Sequence, residues 1–183
     1  MHITKQFSDD LLGAIPSLRA FGLSLTSRTD RADDLVQETL MKAWKYSDSF
    51  VAGTNMKAWL YTILRNEFYT QLRKRKREVE DADGIYSSQV AVHGEQEGHL
   101  AMIDFTKALS RLPEDQREAI VLVGASGFSY EEAAQICGCA VGTIKSRVNR
   151  ARSRLVELLQ IGSESTDYST TSSSDESLNT PRT

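Results

Sequence analysis

The chain has 183 residues, 40% hydrophobic and 8% aromatic, enough for one medium or two small cores. Its formal charge of −3 hides a segregation of sign: residues 1–77 carry 13 basic and 8 acidic side chains, residues 78–98 carry six acids and no base, residues 99–160 carry 8 and 7, and residues 161–183 carry one and four. Two cysteines exclude a disulfide framework, no apolar run approaches the ~20 residues that span a bilayer, and MHITKQFSDD lacks the apolar stretch of a secretory signal, so a soluble cytoplasmic protein is expected.

Helical periodicity recurs along the chain and strand-like alternation does not. Leu11, Leu12, Ile15, Leu18, Phe21 and Leu25 predict a first helix, which Pro16 should start or kink. Asp30 is the expected N-cap of a second helix that buries Ala32, Leu35, Val36, Leu40, Ala43 and Trp44 and turns Asp34, Gln37, Glu38 and Met41 to the other face. After the polar loop SDSFVAGTN, Asn55 is expected to cap a third helix. It holds Trp59, Leu60, Ile63, Leu64 and Phe68 and ends in RKRKR. Residues 78–98 have no convincing period and read as a mobile acidic linker.

Helical pattern resumes near His99 with Met102, Ile103, Phe105, Ala108 and Leu109. Pro113 suits the first position of the next helix, Glu114 and Asp115 its first turn, and GASG (residues 124–127) ends it. Ser129-Tyr130-Glu131-Glu132 is a capping-box pattern opening a short helix, and Gly138 permits a tight turn into VGTIKSRVNRARSRLVELL. Beyond residue 160, Ser and Thr make up 12 of 23 positions, which predicts a disordered tail.

Short helix, glycine turn and basic helix together form a helix-turn-helix signature. In that arrangement the second helix lies in the major groove with its first residues at base edges. Lys145, Ser146, Asn149 and Arg150 lie opposite or beside the Ile144–Val148 apolar stripe, with donors suited to guanine or adenine edges. Arg147, Arg152 and Arg154 suit phosphates. The third predicted helix combines Trp59, Tyr61, Phe68 and Tyr69 with a basic end, a pairing that suits unstacked single-stranded DNA, although Trp59 reads as core. Cys137 and Cys139 offer two sulfurs where zinc takes four ligands, so they read as small apolar packing residues. Asp33, Asp34 and Glu38 lack the histidine, phosphate loop or second acidic motif a carboxylate enzyme would need. No metal, cofactor or catalytic residue is expected.

Taken in order, DDLVQETLMKAW, then SF with AWLYTILRN, an acidic linker, and LPEDQREAIVLV followed by GFSYEEAAQICGCAVGTIKSRVNRARSRL resemble an extracytoplasmic-function (ECF) sigma factor across about residues 8–160. LVGASGFSYEEAA and CGCAVGTIKSRVNRAR are most similar to the EcfG type, the general-stress-response group. The resemblance implies an all-α chain of two small helical domains joined by a flexible acidic linker: σ2 over 1–77, σ4 with its helix-turn-helix over 99–160. It further implies a promoter-selecting initiation factor rather than an enzyme, monomeric when free, with no membrane partner. Its partners would be core RNA polymerase (the β′ clamp and β flap), promoter DNA and an anti-sigma factor of the NepR type.

Carried onto this sequence, the polymerase-docking motif falls on Asp33, Asp34, Leu35, Val36, Gln37 and Glu38. The −10 reader falls on Asp48 and Phe50 of the loop, with Asn66 as a base reader and Lys57 and Arg65 on the backbone. The −35 reader falls on Lys145, Ser146, Asn149 and Arg150, flanked by Arg147 and Arg154. A GGAAC-like −35 and a GTT-like −10 element are implied. Two other readings share this pattern: a sigma-like mimic that sequesters an anti-sigma factor, and a free-standing helix-turn-helix regulator. The first is expected to carry an appended receiver domain and the second a dimerisation segment, and neither signal stands in the sequence.

Overall fold

The structure is a computed structural model that describes residues 5–80 and 97–164. Seven α-helices make up the described chain: α1 (Lys5–Thr26), α2 (Thr29–Lys45), α3 (Met56–Glu80), α4 (Glu97–Ser110), α5 (Glu114–Ile120), α6 (Tyr130–Cys137) and α7 (Val141–Glu164). A 3-10 turn, Ser47–Ser49, follows α2, and a π-helical turn, Val121–Ala125, prolongs α5. Among the described residues there is no strand, as the periodicity predicts.

In the N-terminal unit, α1, α2 and α3 pack around Leu18, Phe21, Leu35, Ala43, Leu60, Tyr61 and Leu64, all essentially inaccessible to solvent. Phe21 stacks on Tyr61 with ring centroids 4.7 Å apart, and the Tyr61 hydroxyl donates to the Ser17 carbonyl at 3.1 Å, fixing α3 against α1. Buried Tyr needs such an acceptor, because an unpaired hydroxyl in a core costs free energy. Asn55 caps α3 as expected, its side-chain oxygen accepting from the Ala58 amide.

Several expectations shift. Pro16 lies within α1, which runs without interruption on both sides of it. The residue preceding α2 is Arg28, with no side-chain cap, and Asp30 sits in the first turn as an ion-pair partner of Arg28. Trp44 is 51% exposed rather than buried: it follows Ala43 by 100° of helical turn, which carries it off the packed stripe. Pro113 immediately precedes α5 rather than opening it. Helix α3 continues to Glu80 and α4 begins at Glu97, so both ends of the expected linker are helical; residues 81–96 of it lie outside the described residues. Helix α7 reaches Glu164, and the remainder of the Ser/Thr tail, 165–183, also lies outside them.

In the C-terminal unit, the capping box forms in full. Ser129 Oγ accepts from the Glu132 amide at 3.0 Å, and Glu132 returns a carboxylate to the Ser129 amide at 2.9 Å. Gly138 closes α6 at φ 62°, a left-handed conformation that only glycine adopts without strain. The turn lets Ile144 and Val148 of α7 pack beneath Ala133 and Ala134 of α6. A smaller cluster of Ala108, Leu112, Ala151 and Leu155 joins α4 to the later turns of α7.

The two units are not separate bodies. One apolar cluster runs from Phe7 and Leu18 through Tyr61 to Leu122, Phe128 and Ile144, so the N-terminal and C-terminal helices share a core. Helix α3 packs on α6, and α1 packs on α5 and its π turn.

Candidate polymerase and nucleic-acid interfaces

Helix α2 positions the first group of expected residues. Its packed stripe takes Leu35 and Val36 into the core, so their side chains anchor the helix and do not reach its outer face. Asp34 and Gln37 are exposed, and Met41 and Trp44 continue the same face at 67% and 51% exposure. Asp33 leaves that face: it takes a two-point bond from Arg19 of α1, at 2.6 and 3.1 Å, which holds its carboxyl below the ordinary carboxylate range. Glu38 lies 3.9 Å from Lys42, which reaches across to pair with Glu67 of α3. Burial pushes the Glu67 carboxyl up, but Lys42 and the Gln71 amide outweigh it and hold it below its ordinary value. The result is a surface of acids and large exposed apolar side chains on a helix braced from behind.

The loop after α2 and the exposed side of α3 carry the second group. Asp48 and Asn66 are exposed. Phe50 is half-buried in an aromatic cluster, 5.2 Å from Trp59 and 5.9 Å from Phe7. Tyr61 and Phe68 are core residues, so the expected stacking role is not open to them in this arrangement. Of the four aromatics on α3, Trp59 and Tyr69 keep partial exposure.

Lys57 and Arg65 are engaged by the C-terminal unit. Lys57 Nζ donates to the Ser126 carbonyl at 2.6 Å and lies 5.0 Å over the Phe128 ring. Arg65 Nε donates to Glu118 of α5 at 2.6 Å and its guanidinium lies 4.7 Å over the Tyr69 ring. The Tyr69 hydroxyl donates to the second Glu118 oxygen at 3.2 Å. Glu118 is wholly buried; that burial lifts its carboxyl above the ordinary range, while Arg65, Tyr69 and Cys137 oppose the rise. The carboxylate governs the pair, because Arg65 keeps 19% of its side chain exposed and sheds less water. The neighbouring Cys137 thiol is pushed up to about 12 by burial and by Glu118, so it holds its proton.

Helix α7 carries the third group on an open face. Lys145, Ser146, Asn149 and Arg150 are exposed in its first turns, beside an inward stripe of Ile144 and Val148. Arg150 folds back on Ser146, donating to its carbonyl at 3.3 Å and its hydroxyl at 3.2 Å. Lys145 lies 5.9 Å over the Tyr130 ring. Pro113, Gln116, Asn149, Arg150, Ser153 and Arg154 line a shallow open groove between α5 and α7. Arg154 is exposed and pairs with Glu157 at 2.9 Å. Arg147 differs from its neighbours: it is partly buried and bridges to Asp115 of α5 at 3.1 Å, so it braces the motif here.

Sequence reasoning missed Glu118, Phe128 and Arg117. Phe128 enters the N-terminal unit edge-on to Tyr61, with centroids 4.9 Å apart. Buried Arg117 donates to the Leu25 carbonyl at the end of α1, at 3.2 Å, and to the Ser110 carbonyl at 3.1 Å. The available clue was register: Glu118 stands one turn before buried Leu122, on the inward face of its helix.

Known proteins match the chain in the same order. The family description "Sigma-70 region 2" matches residues 14–78, and "Sigma-70, region 4" matches residues 102–155. The ECF RNA polymerase sigma factor EcfG of Rhodopseudomonas palustris is 61% identical over 161 residues, covering 88% of this chain and 89% of that protein. The ECF sigma factor SigM of Bacillus subtilis is 34% identical over 144 residues, covering 78% of this chain and 88% of its own. Among solved structures, the sigma factor RpoE of Bartonella quintana, crystallised with the anti-sigma factor NepR, superposes with a TM-score of 0.81. It is 63% identical and covers 86% of this chain and 99% of that one.

Proposed function

The chain belongs to the ECF RNA polymerase sigma factors of the sigma-70 family, and on that premise we propose how its surfaces divide the work of initiation. The outer face of α2, with Asp34, Gln37, Glu38, Met41 and Trp44, docks on the β′ clamp of core polymerase. Asp33, Leu35 and Val36 hold that helix in place from behind. Asp48, Phe50, Lys57, Arg65 and Asn66 read and hold the −10 strand once it is unpaired. Extruding a base costs a few kcal/mol, which phosphate contacts and a receiving pocket offset. Lys145, Ser146, Asn149 and Arg150 read the −35 duplex in the major groove, with Arg154 on its phosphates and Arg147 bracing the motif.

The observation that carries this reading is the α6–α7 pair: a complete capping box, a left-handed glycine turn, and a helix whose buried stripe leaves four adjacent polar side chains facing out. A solvated charged helix needs none of that geometry. We assign σ2 to residues through about 77, the acidic linker to 78–98 and σ4 to about 99–160.

The likeness to a NepR-bound sigma factor supports a NepR-type anti-sigma partner for this chain, and the EcfG likeness supports a role in the general stress response. As a transcription factor it has no catalytic centre of its own and works in the cytoplasm with polymerase. Among the described residues no helix is long and apolar enough to cross a membrane. Transcription with core polymerase on a template bearing GGAAC and GTT elements tests the reading. A promoter-specific transcript is expected, lost with Glu38→Arg through failure to bind polymerase and with Asn66→Ala through failure to open the −10 element. A chain that binds NepR but yields no transcript is a sigma mimic instead.

A further inference from the structure

Two helices of this chain carry DNA-facing cations, and on α3 the basic end keeps Arg73, Lys74, Lys76 and Arg77 exposed while Lys57 and Arg65 are covered. Both side chains assigned to the −10 backbone, and the Asn55 cap before them, have partners in the C-terminal unit. Asn55 Nδ2 donates to Glu132 at 2.8 Å, Lys57 to the Ser126 carbonyl, and Arg65 to Glu118. Glu118 does more than neutralise: one oxygen takes the guanidinium and the other takes the Tyr69 hydroxyl, while the guanidinium lies over the Tyr69 ring. A planar cation stacked on an aromatic, with a hydroxyl beside it, is the donor set that a backbone phosphate and its base take from a single-strand binder. Here a carboxylate fills that position.

We propose that Arg65 and Tyr69 form a phosphate-binding site for the −10 single strand, and that Glu118 of σ4 occupies it in the closed chain, so that σ4 and DNA compete for α3. The idea rests on the −10 role assigned to α3 above and adds to it both Tyr69 and an internal competitor.

The rest of the seam suits a contact that must also release. Phe128 supplies the apolar plug, seated against Tyr61 and beneath Lys57. Arg117 supplies the opposite. It is a buried cation with carbonyl partners only, its Nε has no hydrogen-bond partner, and burial depresses its pKa. A buried cation with no carboxylate bonded to it weakens the packing that contains it, and the nearby Glu114 charge offsets only part of its burial. The Leu25 carbonyl at the C-terminal end of α1 offsets part of that cost through the helix dipole. Closing therefore gains an aromatic contact and an ion pair but carries a poorly satisfied arginine, and opening would return Arg65, Tyr69 and Lys57 to solvent together.

The test uses the full chain without polymerase. The probe is a fluorescein-labelled single-stranded oligonucleotide carrying the GTT element, read by anisotropy across a salt series. The radius of gyration from small-angle X-ray scattering is read alongside. Glu118→Ala, which takes the competing group out of the site altogether, is expected to enlarge the chain and tighten oligonucleotide binding about tenfold, because apparent affinity rises with the binding-competent fraction. Its log-affinity against log-salt slope should steepen by about 0.7, one added phosphate on a single strand. Adding Arg65→Gln should abolish the gain and the extra slope, and adding Tyr69→Ala should remove most of the gain.

Phe128→Ala opens the seam while leaving Arg65, Tyr69 and Glu118 in place, so it must reproduce the gain; it carries the test alone if circular dichroism shows Glu118→Ala unfolded. Variants that stay as compact as the parent, that open without binding more tightly, or that keep the gain after Arg65→Gln would overturn the proposal. The failure of the functional reading shows elsewhere: the parent chain with core polymerase would give no promoter-specific transcript.

Discussion

Helices α3 and α7 are both basic and both turned toward DNA in the proposed reading, yet they stand in opposite conditions. On α7 the reading side chains are exposed, and their partners are neighbours on the same helix or one helix away, as with Arg150 on Ser146 and Lys145 over Tyr130. At the covered groups of α3 and its cap the partners lie 49 to 77 positions away in sequence, on the other domain. The difference separates a reader that needs only its own fold from one whose availability depends on how the chain is folded back. Local contacts make α7 ready for duplex DNA at any time. Long-range contacts make α3 conditional.

The comparison can be strained hardest through the core that the two domains share. Ile144 is fully buried beneath α6, and Ile144→Ala should cost about 2–5 kcal/mol. If the domains were independent, only α4–α7 would lose hydrogen-exchange protection. With a shared cluster joining Ile144 to Leu122, Phe128 and Tyr61, protection is expected to fall also around Leu60 and Leu64 of α3.

A second change separates the readers by what they read. Arg150→Ala should reduce discrimination at one −35 position by about 1–3 kcal/mol, measured as holoenzyme affinity for matched against base-substituted duplexes. Binding of the −10 oligonucleotide should not change, because Arg150 touches nothing on α3. A parallel loss at both elements would mean that α7 positions σ2 as well as the −35 duplex.

Ser129→Ala is smaller, about 0.5–2 kcal/mol from loss of the cap. Its use lies in Glu132, which serves the capping box and the seam at once, bonding the Ser129 amide and Asn55. Loosening the cap should therefore shift thermal unfolding down by a few degrees and also raise oligonucleotide binding slightly; a stability loss alone would confine Glu132 to its local role.

The same division of local from long-range explains what the sequence made legible. The capping box, the Gly138 turn, the Asn55 cap and the Ile144–Val148 stripe depend on residues within a few positions of each other, and all are present. The stretch Asp33–Glu38 was legible as part of a helix, but not which side chains face outward: Leu35 and Val36 turn in and Arg19 draws Asp33 aside. Trp44 was assigned to the core on identity, although an apolar residue at the margin of a stripe is often exposed. The seam was not legible at all. Nothing local links Arg65 to Glu118, and the one visible sign, an acid on the inward face of α5, also suits an ordinary surface helix.

The smallest prediction concerns acid, and it sets the seam against the interior of σ2. Glu67 is held below its ordinary value of 4.5 by Lys42 and Gln71 despite its burial, so the stability it contributes is present above that value and lost as pH falls through its lowered pKa. Lys42 keeps 37% of its side chain exposed, so screening limits the contribution to below about 1 kcal/mol. Glu118 runs the other way. Its pKa is raised in the closed chain, so its contribution to closure is full below the ordinary carboxylate value and declines as pH rises through the raised one. Acidification should thus loosen the α2–α3 brace while the cost of burying Glu118 disappears and the seam closes more firmly. Thermal unfolding between pH 6 and pH 3, about the span over which carboxylates titrate, separates the two. Glu67→Gln should flatten the acid-side loss of stability, and Glu118→Gln should steepen it, because the variant keeps the brace but lacks the seam's compensating gain.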